Sequence, residues 1–246
     1  MNIKMIQKLN SIRWEKLHQN LAKHNIHTRY PHELLVRWVS IIKQPPESKV
    51  LDIGFGSGRN LEMLADKGYD TYGIEVSKTA INHALKINNK FKLSLFTPPK
   101  LNFPDNFFDL IISLQAIYYN INLEVIIEEI WRVLKEYGFI YISFYGKNHF
   151  WIKNYSNKIS PTLIEWSNKH PAKTERGLKL RFFEKKSMLK KLFSKFSNIE
   201  VNTYTYDLFG NHYEYYFVIA QKITNSNKEV ERNKVNKKFK EFYLKQ

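Results

Sequence analysis

The stretch "VLDIGFGSGRN" (residues 50–60) decides the fold. An apolar run ends at Asp52, and glycines then stand at the alternate positions 54, 56 and 58, although the whole chain has only nine glycines in 246 residues. Because glycine lacks a Cβ atom, it allows left-handed backbone and lets a ligand approach the main chain closely. The stretch therefore predicts a buried strand that ends in a tight turn, with something large held against that turn.

Composition sets the broad class. A chain of 246 residues with 43% hydrophobic content can form one α/β domain with additions. No apolar run approaches the roughly 20 residues that a membrane-spanning helix needs, and residues 1–20 lack the apolar centre of a signal peptide. The absence of cysteine excludes disulfides, thiolate metal sites and cysteine nucleophiles, and we expect no metal site. We expect a protein of the cytoplasm.

The formal net charge is +16, but the charge is unevenly distributed. Residues 49–144 are close to neutral, so the excess lies outside the segment that carries the glycines. The abundance of Asn, Lys and Ile is what an AT-rich coding sequence would produce without any functional demand. The alternative is that the positive charge serves to bind an anionic substrate, a nucleic acid or a membrane surface.

Strands and helices alternate along the first part of the chain. Apolar runs predict strands at 49–53, 70–76, 91–96, 107–114 and 139–145. Helical spacing fills the gaps, with Gly68 ending the first helix, Ser77 capping the second, and the third running from Asn122 to Gly138. This alternation is typical of βαβ units in a parallel sheet.

The end of the chain has a different pattern. After a predicted helix at 184–196, two strands, "IEVNTYTYDLF" and "HYEYYFVIAQKI", are separated only by a turn, which predicts an antiparallel hairpin. The fold class is therefore α/β, a Rossmann-like doubly wound sheet of seven strands whose last two form that hairpin. We predict one domain over 1–221 and a basic tail over 222–246. The domain divides into a helical N-terminal cap (1–47) and a core (48–221) with an acceptor-side insertion (146–183).

The spacing of the glycines separates possible cofactors. A dinucleotide fingerprint would need glycine where Arg59 or Leu61 stands, and the Gly-Lys-Ser/Thr of a phosphate loop is absent. Asp52-x-Gly-x-Gly-x-Gly resembles motif I of the class I S-adenosylmethionine-dependent methyltransferases. The segments "YGIEVS" (72–77), "LNFPDNFFDLIISLQAIYYN" (101–120) and "ISFYG" (142–146) resemble later motifs of that family. The likeness covers about residues 28–221.

The resemblance implies S-adenosylmethionine as the cofactor. Gly54, Gly56 and Gly58 would cradle its methionine part, and Asp52 would hold the ammonium directly or through water. Glu75 would accept both ribose hydroxyls, because an ionised carboxylate offers two acceptor oxygens. We expect Glu75→Ala to weaken cofactor binding while the free protein melts near the wild-type temperature.

Other cofactor contacts follow from the same resemblance. They are Phe55, Arg59 and Asn60 in the turn, Val76 over the adenine, and Gln115 and Ala116 on the sulfonium side. Thr97 stands where the family commonly has an acidic residue for the adenine amino group, so its hydroxyl would have to substitute.

Acceptor contacts are expected from two segments that flank the core. In the N-terminal cap, Tyr30 and Arg37 are polar residues that would face the cofactor, unless their helix only packs on the sheet. Tyr118, Tyr119 and His149 fall where the family places acceptor contacts. His149 is either a base or a surface histidine, and a base is needed only for a hydroxyl acceptor.

The function expected from the resemblance is methyl transfer by in-line displacement to an oxygen or nitrogen of a small molecule, such as a sugar or metabolite. An RNA or protein methyltransferase that uses the basic flanks is the alternative, and a non-catalytic binding protein is a third reading. A small-molecule acceptor is the favoured partner over nucleic acid, and the sequence predicts no oligomeric state.

Overall fold

The computed structural model describes residues 2–26, 29–42 and 44–224. The helices are α1 (Ile3–Lys23), α2 (Glu33–Ile42), α3 (Arg59–Asp66), α4 (Lys78–Ile87), α5 (Leu123–Val133), α6 (Phe150–Tyr155) and α7 (Lys186–Leu192). The strands are β1 (Lys49–Ile53), β2 (Asp70–Glu75), β3 (Lys92–Leu95), β4 (Phe108–Ser113), β5 (Leu134–Tyr145), β6 (Ser156–Ser160), β7 (Leu163–Trp166), β8 (Lys179–Arg181), β9 (Ser197–Leu208) and β10 (Asn211–Gln221).

The main sheet has seven strands in the order β3-β2-β1-β4-β5-β10-β9. Neighbouring strands from β3 to β5 are parallel, and β10 is antiparallel to both β5 and β9. The central strands β1 and β4 are almost entirely buried, as expected for a parallel sheet covered by helices on both faces. The predicted fold class is confirmed.

The terminal hairpin turns at Phe209 and Gly210. Both residues have positive φ, 49° and 73°, which is the backbone conformation that a two-residue hairpin loop requires. The predicted hairpin between the last two strands is therefore confirmed.

The helix predicted from Asn122 to Gly138 is shorter than expected, because α5 ends at Val133 and β5 begins at the next residue. The ammonium of Lys222 donates to the carbonyls of Trp131 and Leu134, at 2.8 and 2.7 Å, and so satisfies acceptors at the end of the helix.

The domain extends past its predicted boundary at residue 221, because the ammonium of Lys222 is hydrogen bonded to the end of α5 and the start of β5. Ile223 is buried as well, so the domain includes at least residues 222–224 of the predicted tail. Residues 225–246 lie outside the described part of the chain.

The insertion at 146–183 contains a small antiparallel sheet in the order β6-β7-β8, preceded by α6. The sequence patterns did not predict this sheet, since its strands are only three to five residues long. No helix within the described residues is long and apolar enough to cross a membrane.

Candidate functional site

The glycine turn forms the floor of a cavity at the carboxyl ends of the parallel strands. Gly54, Gly56 and Gly58 have φ of 75°, 57° and 82°, a region that side-chain-bearing residues rarely adopt. A Cβ atom on Gly54 would stand 2.4 Å from the Cβ of Ala116. The sequence thus needs glycine here both for the backbone conformation and for the close approach of the segment after β4.

Glu75 ends β2 beside this turn and is 6% exposed. Its carboxylate accepts hydrogen bonds from the backbone N–H groups of Gly56, Val76 and Ser77, at 3.1, 2.7 and 3.2 Å. Burial raises the pKa of this carboxyl, and the three donors act in the opposite direction. Glu75 therefore holds the turn in place as well as lining the cavity.

Asp52 lies beneath the turn and is 1% exposed. Its Oδ2 has no hydrogen-bond partner among the described residues. Loss of water around the buried carboxyl, together with the charge of Glu75, raises the pKa of Asp52 to about 8. A buried carboxylate with an unused oxygen fits a cationic group placed above it, such as the ammonium expected from the resemblance.

The cavity has a volume of about 290 Å³. Nine of the twelve predicted cofactor contacts line it: Gly54, Phe55, Gly56, Arg59, Asn60, Glu75, Val76, Gln115 and Ala116. These residues come from the turn after β1, the end of β2 and the loop after β4, so parallel topology brings them to one edge of the sheet. The side chains and glycine cradle thus fit S-adenosylmethionine.

The other three predicted cofactor contacts do not line the cavity. Asp52 is buried below it, and Gly58 precedes α3, where an added Cβ would stand 3.1 Å from Ala84. Thr97 is also outside the cavity lining, whereas its neighbours Phe96 and Pro98 belong to it. The Thr97 hydroxyl therefore does not take the place of the acidic residue that the family commonly has after β3 for the adenine amino group.

The roof of the cavity is α1, which the sequence predicted only as part of a helical cap. Its inner face lines the cavity with Gln7, Asn10, Ser11, Trp14, Leu17, His18, Leu21 and Ala22. A signal was present in the sequence, because Asn10, Trp14, Leu17 and Leu21 repeat at helical spacing. Nothing in that spacing, however, says which part of the core the helix covers.

Hydrogen bonds fix α1 at both sides of the cavity. Asn10 Nδ2 donates to the carbonyls of Tyr119 and Lys179, at 2.8 and 2.9 Å. Farther along the helix, the Glu15 carboxylate accepts from Thr79 Oγ1 at 2.6 Å. The helix therefore bridges the loop after β4 and the start of α4, and it closes the cavity over the glycine turn.

Tyr119 forms a wall of the cavity next to Trp14, with their rings 4.9 Å apart in an edge-to-face arrangement. Its hydroxyl donates to Glu175 at 2.8 Å and accepts from Trp166 Nε1 at 3.0 Å. Burial and the negative charge of Glu175 raise the pKa of Tyr119 well above its ordinary value. The insertion thus holds the ring in place. Because the hydroxyl keeps its proton, it does not act as a general base.

Tyr118 and His149 were predicted as acceptor contacts, but neither lines the cavity. Tyr118 is buried against Tyr145. His149 is fully buried, and its Nδ1 accepts from the N–H of Trp151 at 3.1 Å as the cap of α6. Burial lowers the pKa of His149 to about 3, so this histidine is neutral and structural rather than a base or a surface residue.

Tyr30 and Arg37 also lie outside the cavity. Tyr30 is 80% exposed, and Arg37 forms an exposed ion pair with Glu33 at 2.8 Å. The apolar face of α2 packs on the sheet through Leu35 and Trp38, which turns Arg37 toward solvent. The helix α2 therefore packs on the sheet, which is the alternative that the sequence left open for it.

His18 is a cavity residue that sequence reasoning missed. Its Cε1 atom lies 3.9 Å from the point where a Cβ on Gly56 would stand. His18 therefore faces the glycine turn from the roof.

Comparison with known proteins gives the family. Residues 51–142 match the family model described as a methyltransferase domain. Residues 51–142 therefore carry a methyltransferase domain of the class I S-adenosylmethionine-dependent kind. The cofactor predicted from the motifs, S-adenosylmethionine, is the cofactor of this family.

Two curated relatives are methyltransferases. A 2-methyl-6-phytyl-1,4-hydroquinone methyltransferase of Synechocystis is 28% identical over 149 residues, which is 56% of this chain and 45% of the relative. Phosphoethanolamine N-methyltransferase 2 of Caenorhabditis elegans is 30% identical over 110 residues, 42% of this chain and 25% of the relative. The chain spans less than half the length of these relatives.

Solved structures share the fold of this methyltransferase domain. A SAM-dependent methyltransferase of Methanosarcina mazei has a TM-score of 0.62 at 21% identity, over 80% of this chain and all of that chain. Phosphoethanolamine N-methyltransferase 2 of Haemonchus contortus, in complex with S-adenosyl-L-methionine, has a TM-score of 0.59 at 17% identity. It covers 77% of this chain and 52% of that chain.

Proposed function

We propose that this protein transfers a methyl group from S-adenosylmethionine to an oxygen or nitrogen of a small molecule held beneath α1. The observation that carries the proposal is the cavity beneath α1, with the glycine turn and Glu75 on its floor and Asp52 buried below with an unused oxygen. When bound, the cofactor supplies an electrophilic methyl group on a sulfonium, open to in-line displacement.

The residues of the chain act mainly by position and by excluding water. Backbone at Gly54 and Gly56 lies open to a methionine moiety. The carboxyl of Asp52, whose pKa is about 8, would ionise beside the ammonium of that moiety and supply the matching negative charge. Glu75 Oε2, which accepts one backbone N–H, offers its remaining acceptor site to a ribose hydroxyl. The roof keeps solvent away from the reacting groups, so alignment and desolvation provide most of the expected acceleration.

The acceptor side of the cavity favours a small, uncharged molecule. Around Tyr119 and Trp14, the cavity is lined by neutral polar groups of Gln7, Asn10 and Ser11. The charged lining residues of the described chain, Arg59 and Glu75, belong to the glycine-turn side. The names of the curated relatives include a hydroquinone, a phosphoethanolamine and a sterol, and they support a small-molecule acceptor.

A proton acceptor is needed only if the acceptor group is a hydroxyl. His18 is placed for that role, because its imidazole faces the cavity above Gly56. Tyr119 is not, since its hydroxyl already donates to Glu175. A macromolecular acceptor would have to displace α1, which argues against the RNA or protein alternative.

The test is incubation of the full chain with methyl-labelled S-adenosylmethionine and fractionated cell extract. We expect label in the small-molecule fraction, and none with the Gly56→Asn variant, whose side chain occupies the cradle. Label in RNA or protein would support the alternative function instead. Cofactor binding without transfer to any fraction would indicate a binding protein. The cytoplasmic location stays a prediction.

A further inference from the structure

The outer face of α1 carries an apolar row that the proposed function does not use. Met5, Leu9 and Ile12 are 56%, 39% and 43% exposed. Their spacing of four and then three residues places them on one side of the helix, opposite the face that lines the cavity.

Basic side chains surround this row. Lys8, Lys16 and Lys23 are exposed on the same outer side of α1, and Lys4 lies near its start. The helix contains one acidic residue, Glu15, which is turned toward Thr79 and hydrogen bonded there. An exposed apolar row among lysines is typical of helices that lie in a membrane interface.

We propose that the outer face of α1 docks on an anionic lipid bilayer. Met5, Leu9 and Ile12 enter the boundary between headgroups and acyl chains, and Lys8 and Lys16 lie against lipid phosphates. The inner face of the helix remains on the protein, so docking requires no unfolding of the roof.

Charge favours an anionic bilayer on this face over a second copy of the chain or the terminal segment 225–246. A second copy of the chain would place the lysines of two α1 helices against each other. The terminal segment 225–246 is itself rich in Lys and Arg, so it would meet like charge on this face. An anionic bilayer offers both the negative charge and the apolar phase that the face requires.

Docking also has a consequence for the cavity. Because the opposite side of α1 forms the roof, the bilayer lies about 10 Å from the acceptor side, the diameter of one helix. The inference that the methyl acceptor comes from the bilayer rests on the proposed function. The inference that α1 docks on the bilayer does not.

The test measures partition of the full chain onto vesicles of phosphatidylcholine containing about one third phosphatidylglycerol. We expect binding that weakens with added salt and is much lower on pure phosphatidylcholine. The triple variant Met5→Gln/Leu9→Gln/Ile12→Gln should lower the partition coefficient about ten-fold. Its melting temperature should stay near the wild-type value, because the three side chains are exposed and Gln suits a helix.

A matched control replaces exposed apolar residues elsewhere. The variant Val125→Gln/Leu208→Gln/Phe209→Gln changes side chains that are 49%, 49% and 93% exposed, and it should bind vesicles like the wild type.

Several results would overturn the docking surface. They are wild-type binding by the α1 variant, an equal loss in the control, and binding that depends on residues 225–246 but not on the three α1 residues. Self-association of the wild type that the α1 variant abolishes, without vesicle binding by either, would assign the face to a second copy instead.

Discussion

The floor and the roof of the cavity are built in different ways. The floor is one continuous motif at the end of β1 together with Glu75 at the end of β2, and its glycines adopt backbone conformations that few other residues can. The roof is a separate helix, α1, held by side-chain hydrogen bonds that Asn10 donates and Glu15 accepts. We therefore expect cofactor binding to depend on backbone geometry, and closure over the acceptor to depend on a few side-chain contacts.

Among the side-chain truncations, the largest effect is expected at the floor, with Glu75→Ala. Cofactor affinity should fall about ten-fold or more, because the charge-assisted hydrogen bonding to the ribose is lost. The structure changes one expectation from the sequence, because Glu75 also accepts three backbone N–H groups. The free protein should therefore lose about 1–3 kcal/mol of stability rather than melt like the wild type.

Calorimetric titration with S-adenosylmethionine, well below the melting temperature, measures the first quantity, and denaturant unfolding measures the second. Wild-type affinity in a destabilised variant would make Glu75 purely structural and would remove its assignment to the ribose.

A smaller effect is expected at the roof, with Asn10→Ala. The carbonyls of Tyr119 and Lys179 lose a donor, so α1 should open more often and exchange its amide hydrogens faster over residues 3–23. Cofactor affinity should fall by less than about ten-fold, since the floor is intact.

The control for this change is Gln19→Ala on the exposed side of the same helix, where only a bond to Glu15 is removed. Equal hydrogen exchange over α1 in Asn10→Ala and in the control would show that Asn10 does not hold the roof.

The smallest effect at neutral pH is expected at His149, away from both regions. Its folded-state pKa is lowered to about 3, so below pH 6.5 the unfolded chain takes up a proton that the folded chain does not. Stability attributable to this group is therefore full above pH 6.5 and is lost as the pH falls toward 3. Between pH 7 and 5 the loss is about 2 kcal/mol.

The variant His149→Asn keeps a side chain that can cap α6 but does not titrate. Urea unfolding at the two pH values should show a smaller loss in the variant by about that amount. The same pH dependence in both proteins would contradict a buried, neutral His149.

These contrasts also show how far the sequence could be read. The alternation of strands and helices and the terminal hairpin follow from local patterns. The resemblance to class I methyltransferases supplied the nine predicted residues that line the cavity. The role of Tyr119 depends on its contact with the insertion, which is distant in sequence. The role of His149 depends on its burial at the start of α6, which the sequence does not reveal. Spacing alone could not separate a buried cap from a base.

The position of α1 was beyond prediction for a related reason. Its inner face contacts the loop after β4 through Asn10 and the start of α4 through Glu15. Amphipathic spacing indicates that a helix packs on something, but only the tertiary fold decides whether that is the sheet, as for α2, or a cavity, as for α1.

The most direct test of the account is cofactor titration of two glycine variants, Gly56→Asn and Gly210→Asn. Both glycines have positive φ, 57° and 73°, which Asn tolerates better than most residues, and neither would place a Cβ within 3.4 Å of another residue. The side chain at 56 points into the cavity floor, whereas the one at 210 lies at the hairpin turn.

We expect Gly210→Asn to bind S-adenosylmethionine like the wild type. Gly56→Asn should bind it at least about 100-fold more weakly, although it melts close to the control. Equal affinity in the two variants would contradict the central claim, because the cofactor would then lie somewhere other than on the glycine turn.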